Sequence, residues 1–91
     1  MYGLTAEELN QIVTVLRQAH VKKAILFGSR AKGTHKTGSD VDIAVFGDEK
    51  KIAEILNEET NLPYFFDVIN METITSQNLR EHIRRVGKII A

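Results

Sequence analysis

Two short apolar runs, each broken off by a glycine, fix most of what this chain can fold into. Ala24-Ile25-Leu26-Phe27 stops at Gly28, and Val41 to Phe46 stops at Gly47. Runs of this length bounded by turn residues read as buried strands. The segments around them carry helical spacing instead. Thr5 followed by Glu8 forms a capping box, and Leu9, Ile12, Val13 and Leu16 share one helical face, which predicts a helix from Thr5 to about Ala19. Ser29 to Lys32 makes a helical turn stopped by Gly33, and Gly33 to Gly38 is loop by composition. Asp48 caps a second long helix, about Lys50 to Glu59, with Ile52, Ile55 and Leu56 inward. Asn61-Leu62-Pro63 breaks the chain before a third strand, Tyr64 to Ile69. Thr75 or Ser76 caps a last helix with Leu79, Ile83 and Val86 on its buried stripe. Gly87 ends it, and Lys88-Ile89-Ile90 adds a short edge strand. The expected fold class is α/β (α+β), with helices packed on a small mixed sheet.

The 91 residues are expected to form a single domain, 1–91. A chain this short buries roughly 60–65% of its unfolded surface, enough for one modest core. It has no cysteine, which excludes disulfides and thiolate metal sites. The amino terminus lacks a basic region followed by an apolar stretch, and no apolar run approaches the ~18 residues of a membrane helix. A cytoplasmic location is expected. Lys+Arg and Asp+Glu both total 12, a balance unsuited to non-specific nucleic-acid binding. The basic cluster Arg80, Arg84, Arg85 and Lys88 reads as a solvated helix face.

One oddity remains: Asp40 and Asp42 sit at the start of the chain's most apolar run. Alternate strand residues point the same way, so the two carboxylates share one face and Val41, Ile43 and Val45 take the other. Like charges held this close favour protonation unless a cation lies between them. Oxygen donors without a histidine cluster select Mg²⁺ or Mn²⁺. Mg²⁺ commonly leaves several positions to water and substrate phosphates. The turn before the pair suits such a ligand. Gly28 presents no side chain to block a phosphate, and Ser29 offers a hydroxyl and an amide. Asp67, in the third strand, supplies a third carboxylate, which fits two-metal phosphoryl transfer. Other polar and aromatic residues take ordinary readings: His20 and His82 on helices at the surface or half buried, His35 alone in the loop, and Phe65 and Phe66 in the core.

Gly28-Ser29, ten residues, then Asp40-Val41-Asp42, with Asp67 on a later strand, resembles the signature of the DNA polymerase beta-type nucleotidyltransferase superfamily. "FGSRAKG…SDVDIAVF" and "LPYFFDVIN" resemble the minimal nucleotidyltransferase family, whose members are often antitoxin partners of HEPN-domain toxins. The resemblance implies that Gly28 and Ser29 hold the phosphates of the incoming nucleotide, joined by Arg30 and Ser39. It implies that Asp40, Asp42 and Asp67 bind two Mg²⁺ (or Mn²⁺) ions, with Asp67 also helping to deprotonate the attacking hydroxyl. The implied reaction moves AMP from ATP to a hydroxyl. About two dozen residues follow the third strand, which leaves little room for an acceptor pocket. The expected acceptor is therefore a partner protein, a HEPN toxin by resemblance, or a homodimer completes the site. The competing expectation is a non-catalytic nucleotide-binding module that neutralises its partner by contact.

Overall fold

The computed structural model describes residues 1–91. The elements run α1 (Ala6–Gln18), β1 (Ala24–Phe27), α2 (Gly28–Lys32), β2 (Val41–Val45), α3 (Glu49–Glu58), β3 (Phe66–Asn70), α4 (Gln77–Val86) and β4 (Lys88–Ile89). The expected order is thus realised, and so are its caps. The Thr5 hydroxyl accepts from the Glu8 amide while the Glu8 carboxylate accepts from the Thr5 amide. Asp48 caps α3, and Ser76, not Thr75, caps α4.

The strands form one mixed sheet in the order β3-β2-β1-β4. β2 runs antiparallel to β1 and parallel to β3. The alternation of each strand divides the apolar residues between two faces. Ile12, Leu16, Leu26, Val41, Ile43, Ile52, Leu56 and Phe66 form the larger core under α1 and α3. Phe27, Ala44 and Ile83 form a smaller cluster under α4, flanked by Ile25, Ile69 and Leu79.

β3 begins at Phe66 and ends at Asn70, two residues later than its expected start and one past its expected end. The cause is Tyr64, which turns aside so that its hydroxyl donates to the Glu8 carboxylate (3.0 Å to Oε1) while its ring packs under Arg30. β2 ends at Val45, leaving Phe46 exposed beneath the Lys23 ammonium. His20 lies beyond α1, in a left-handed conformation (φ 62°), rather than on the helix. β3 is an edge strand, and Asn57 on α3 covers part of that edge. Its side-chain amide donates to the Phe66 carbonyl (2.9 Å) and accepts from the Phe66 amide (2.8 Å). No helix is long and apolar enough to cross a membrane.

Candidate active site

The parallel pairing of β2 with β3 sets Asp42 directly beside Asp67. The antiparallel pairing of β1 with β2 sets Asp42 beside Phe27, the residue before Gly28. One strand position therefore touches both of the other elements that the sequence marked. Gly28 adopts φ 75°, which favours glycine. A side chain there would collide with Oδ2 of Asp42, so the Asp42 carboxylate rests against the glycine backbone. Ser29 follows in the first turn of α2, where no side chain caps the amides.

Burial raises the Asp42 carboxyl above the ordinary carboxylate value, and the charges of Asp67 and then Asp40 raise it further. The charge of His82 acts in the opposite direction. His82 reaches this region from α4, its ring edge-on to Phe27 with centroids 6.3 Å apart. His82 is half buried on α4, as its helical position implies, and its approach to Phe27 depends on how α4 crosses the sheet. The spacing of His82 from the buried Ile83 gave no sign of it.

The three aspartates occupy one end of the α4 face. Asp40 and Asp67 are exposed and Asp42 is partly covered. No group of three His, Asp or Glu side chains is drawn together closely enough to hold an ion. Asp40, Asp42 and Asp67 together make the donor set at this end of the face. Its chemistry, three hard oxygen donors on adjacent strands, fits a divalent ion such as Mg²⁺. None of the molecule's cavities includes these residues. A cleft of about 370 Å³ lies toward the other end of the face, between Lys23, Phe46, Arg80 and Ile89. The aspartates stand on an open surface of the sheet.

Arg30 and Ser39 are brought together, in hydrogen bonds to backbone carbonyls rather than to a carboxylate. Arg30 is only 2% exposed. Its Nε and Nη2 donate to the Ser39 carbonyl at 3.1 and 2.9 Å, and its Nη1 donates to the Tyr2 carbonyl at 2.9 Å. Its guanidinium carbon lies 4.7 Å from the centre of the Tyr64 ring. The Ser39 hydroxyl is engaged with the backbone of Lys36. Arg30 is thus a clamp. It fixes the end of the α2–β2 loop, and so the residue that immediately precedes Asp40. His35 lies on this clamp's side, beside Gly3.

Residues 10–91 match the family model "Polymerase beta, Nucleotidyltransferase". The chain is 34% identical to the "Probable protein adenylyltransferase MntA" of Haemophilus influenzae, over 96% of this chain and 82% of that protein. Among solved structures it resembles a toxin–antitoxin complex with AMP-PNP (TM-score 0.74, 26% identity, 91% of this chain and 72% of that one). It also resembles a mutant MntA–HpeT toxin–antitoxin complex (TM-score 0.70, 26% identity, 94% and 72%). The chain belongs to the polymerase beta nucleotidyltransferase family and is an enzyme of the nucleotidyltransferase class.

Proposed function

We propose that this protein is the antitoxin of a toxin–antitoxin pair and transfers AMP from ATP, with Mg²⁺ or Mn²⁺, to a hydroxyl of a HEPN-domain partner. The observation that carries the reading is the contact at Asp42. A carboxylate beside Asp67 on one flank rests against the side-chain-free Gly28 turn on the other. Phosphates and carboxylates of like charge share such a space only around cations. The adenylyltransferase name of the Haemophilus relative and the AMP-PNP complex of a structural relative support the choice of reaction and nucleotide.

On this reading Gly28 lets the triphosphate approach the backbone, and Ser29 bonds its oxygens. Asp40, Asp42 and Asp67 would hold two divalent ions, which supply charge neutralisation at the phosphorus and at the attacking and leaving oxygens. Asp67 accepts the proton as the acceptor O–H bond breaks. The acceptor oxygen bonds the α-phosphorus, and the α-phosphorus–oxygen bond to the β-phosphate breaks, with its electron pair leaving on pyrophosphate. Catalysis is positioning and electrostatics. One domain carries all of these residues, and the acceptor comes from outside it. Since no cysteine or membrane helix intervenes, the cytoplasm is the proposed location.

Incubating the purified pair with ATP and Mg²⁺ tests the reading. The expected result is an AMP-sized mass gain on the partner, absent with Asp42→Asn. A partner that stays unmodified while this protein binds both it and nucleotide overturns adenylylation. If Asp42→Asn then neutralises the toxin as well as wild type, neutralisation is by contact alone.

A further inference from the structure

Four large apolar side chains stand exposed: Met1, Phe46, Phe65 and Ile89. Phe46 lies beneath an ammonium group, and Ile89 belongs to a two-residue edge strand. Phe65 is 59% exposed and belongs to neither apolar cluster. The sequence pattern predicted it in the core, and the structure places it at the aspartates.

Its position follows from the register. Val41 pairs with Phe66 and Asp42 with Asp67, so the step before them sets Phe65 beside Asp40. The Val41 amide donates to the Phe65 carbonyl at 2.9 Å, which holds that step in place. Alternation puts Phe65 on the face of Asp67 and Ile69, while Phe66 and Val68 turn to the core. α4 covers Ile69 but not Phe65. The face therefore carries, in order, the Gly28–Ser29 turn at the end of β1, Asp40 and Asp42 on β2, and Asp67 with Phe65 on β3.

Attacking and leaving oxygens lie roughly in line across a transferring phosphorus. This inference rests on the proposed reading, in which the phosphates lie toward Gly28. The attacking hydroxyl then enters from the β3 side, across Phe65. The acceptor cannot simply add a strand to β3 at this point, because Asn57 already bonds both the amide and the carbonyl of Phe66. It must come over the face, where Phe65 is the exposed apolar surface. A polyanionic acceptor is disfavoured there, since three carboxylates surround the approach.

We propose that Phe65 is an acceptor subsite, packing against an apolar side chain of the acceptor protein next to the hydroxyl that receives the nucleotide. Its contribution lies in capturing the acceptor, with little part in holding ATP.

The experiment measures transfer from α-labelled ATP to the HEPN-domain partner, together with the affinity for a fluorescent ATP analogue, for wild type, Phe65→Ala and Phe65→Leu. Phe65→Ala is expected to raise the KM for the partner about tenfold or more, as truncated interface anchors do. Its kcat at saturating partner and its nucleotide affinity should stay within about twofold of wild type. Phe65→Leu should recover most of the loss. Because the ring is exposed, both variants should melt with wild type. An unchanged acceptor KM in Phe65→Ala overturns this proposal alone. A fall in nucleotide affinity as large as the rise in KM makes the ring a base shelf and also overturns it. Labelling of RNA rather than protein, lost with Phe65→Ala, assigns the ring to a nucleic acid and does the same. If wild type binds nucleotide but transfers nothing to the partner, the proposed function falls first and takes the subsite with it.

Discussion

The two faces of the sheet are built by the same strands and end differently. Under α1 and α3 the inward positions are Ala24, Leu26, Val41, Ile43, Val45, Phe66 and Val68, all buried in one continuous core. Under α4 the opposite positions begin as Ile25, Phe27, Ala44 and Ile69, and then give way to Asp42, Asp67 and Phe65. α4 has ten residues and buries only Ile83. It covers one end of its face and leaves the other to solvent. Charge is placed where the helix does not reach. The closed face supplies stability, and the open one carries groups whose mutual repulsion the closed face must withstand.

The largest effect expected from this contrast is at Asp42. Asp42→Asn should lower nucleotidyl transfer on the order of 10³-fold or more, the equivalent of several kcal/mol of lost transition-state stabilisation. Adding EDTA to wild type should bring it to the same floor. Stability should move the other way. The folded chain raises the Asp42 carboxyl, so folding favours its protonated form. Its ionisation costs nothing below the unfolded value of about 3.8 and its full penalty above the raised folded one. In metal-free buffer Asp42→Asn should therefore melt above wild type at pH 7, and the gap should close as pH falls below 3.8. A variant that melts lower at neutral pH would show that Asp42 helps hold the fold together.

Gly28→Ala tests how close the two halves of the open face must be. The left-handed backbone alone should cost about 1–2 kcal/mol. The added methyl also occupies the place of Asp42 Oδ2, so the carboxylate must move. Displacement on the order of an ångström should lower transfer roughly 10²-fold. Activity would then fall by far more than thermal denaturation explains. Equal activity in the folded variant would detach Gly28 from the chemistry.

Much of this was readable beforehand. The caps at Thr5 and Asp48 are local patterns and appear where their chemistry requires them, and Ile12, Leu16, Ile52, Leu56 and Ile83 of the helical stripes are buried, whereas Val13, Ile55 and Val86 stay partly exposed. The shared face of Asp40 and Asp42 follows from strand alternation. What escaped was set by tertiary coverage. Alternation assigns Phe65 to a face but cannot say that α4 stops short of it. His82 reaches Phe27 only because of the path of α4. Arg30 belongs to a residue type rarely buried, and its acceptors are carbonyls whose positions have no sequence signature.

That clamp provides the next contrast, since it steadies the open face from the closed side. Arg30→Met keeps most of the stem and removes the donors. The carbonyls of Tyr2 and Ser39 lose their partners, and about 3 kcal/mol of stability should go with them, measurable by urea denaturation. Nucleotide affinity in the remaining folded protein should fall modestly, because Ser39 leads directly into Asp40. Arg30→Lys should rescue little, since one ammonium cannot reproduce the fork to Ser39. A Met variant as stable as wild type but unable to bind ATP would return Arg30 to the phosphates.

The smallest effect belongs to the free margin of the closed face. Asn57→Ala strips the Phe66 amide and carbonyl of their only side-chain cover. Water can replace both partners at an edge, so the loss should be about 1–2 kcal/mol rather than the full penalty of burial. The more telling change is in association. β3 would then expose an unpaired edge, which invites strand pairing between chains. Asn57→Ala should sediment with concentration-dependent self-association where wild type does not gain mass by this route. It should also retain transfer activity when dilute, because Asn57 reaches Phe66 from the core side and the aspartates lie on the other face. If activity fell with Asn57→Ala at every concentration, the two faces would be coupled through Phe66, and the position of Asp67 would depend on a hydrogen bond made behind it.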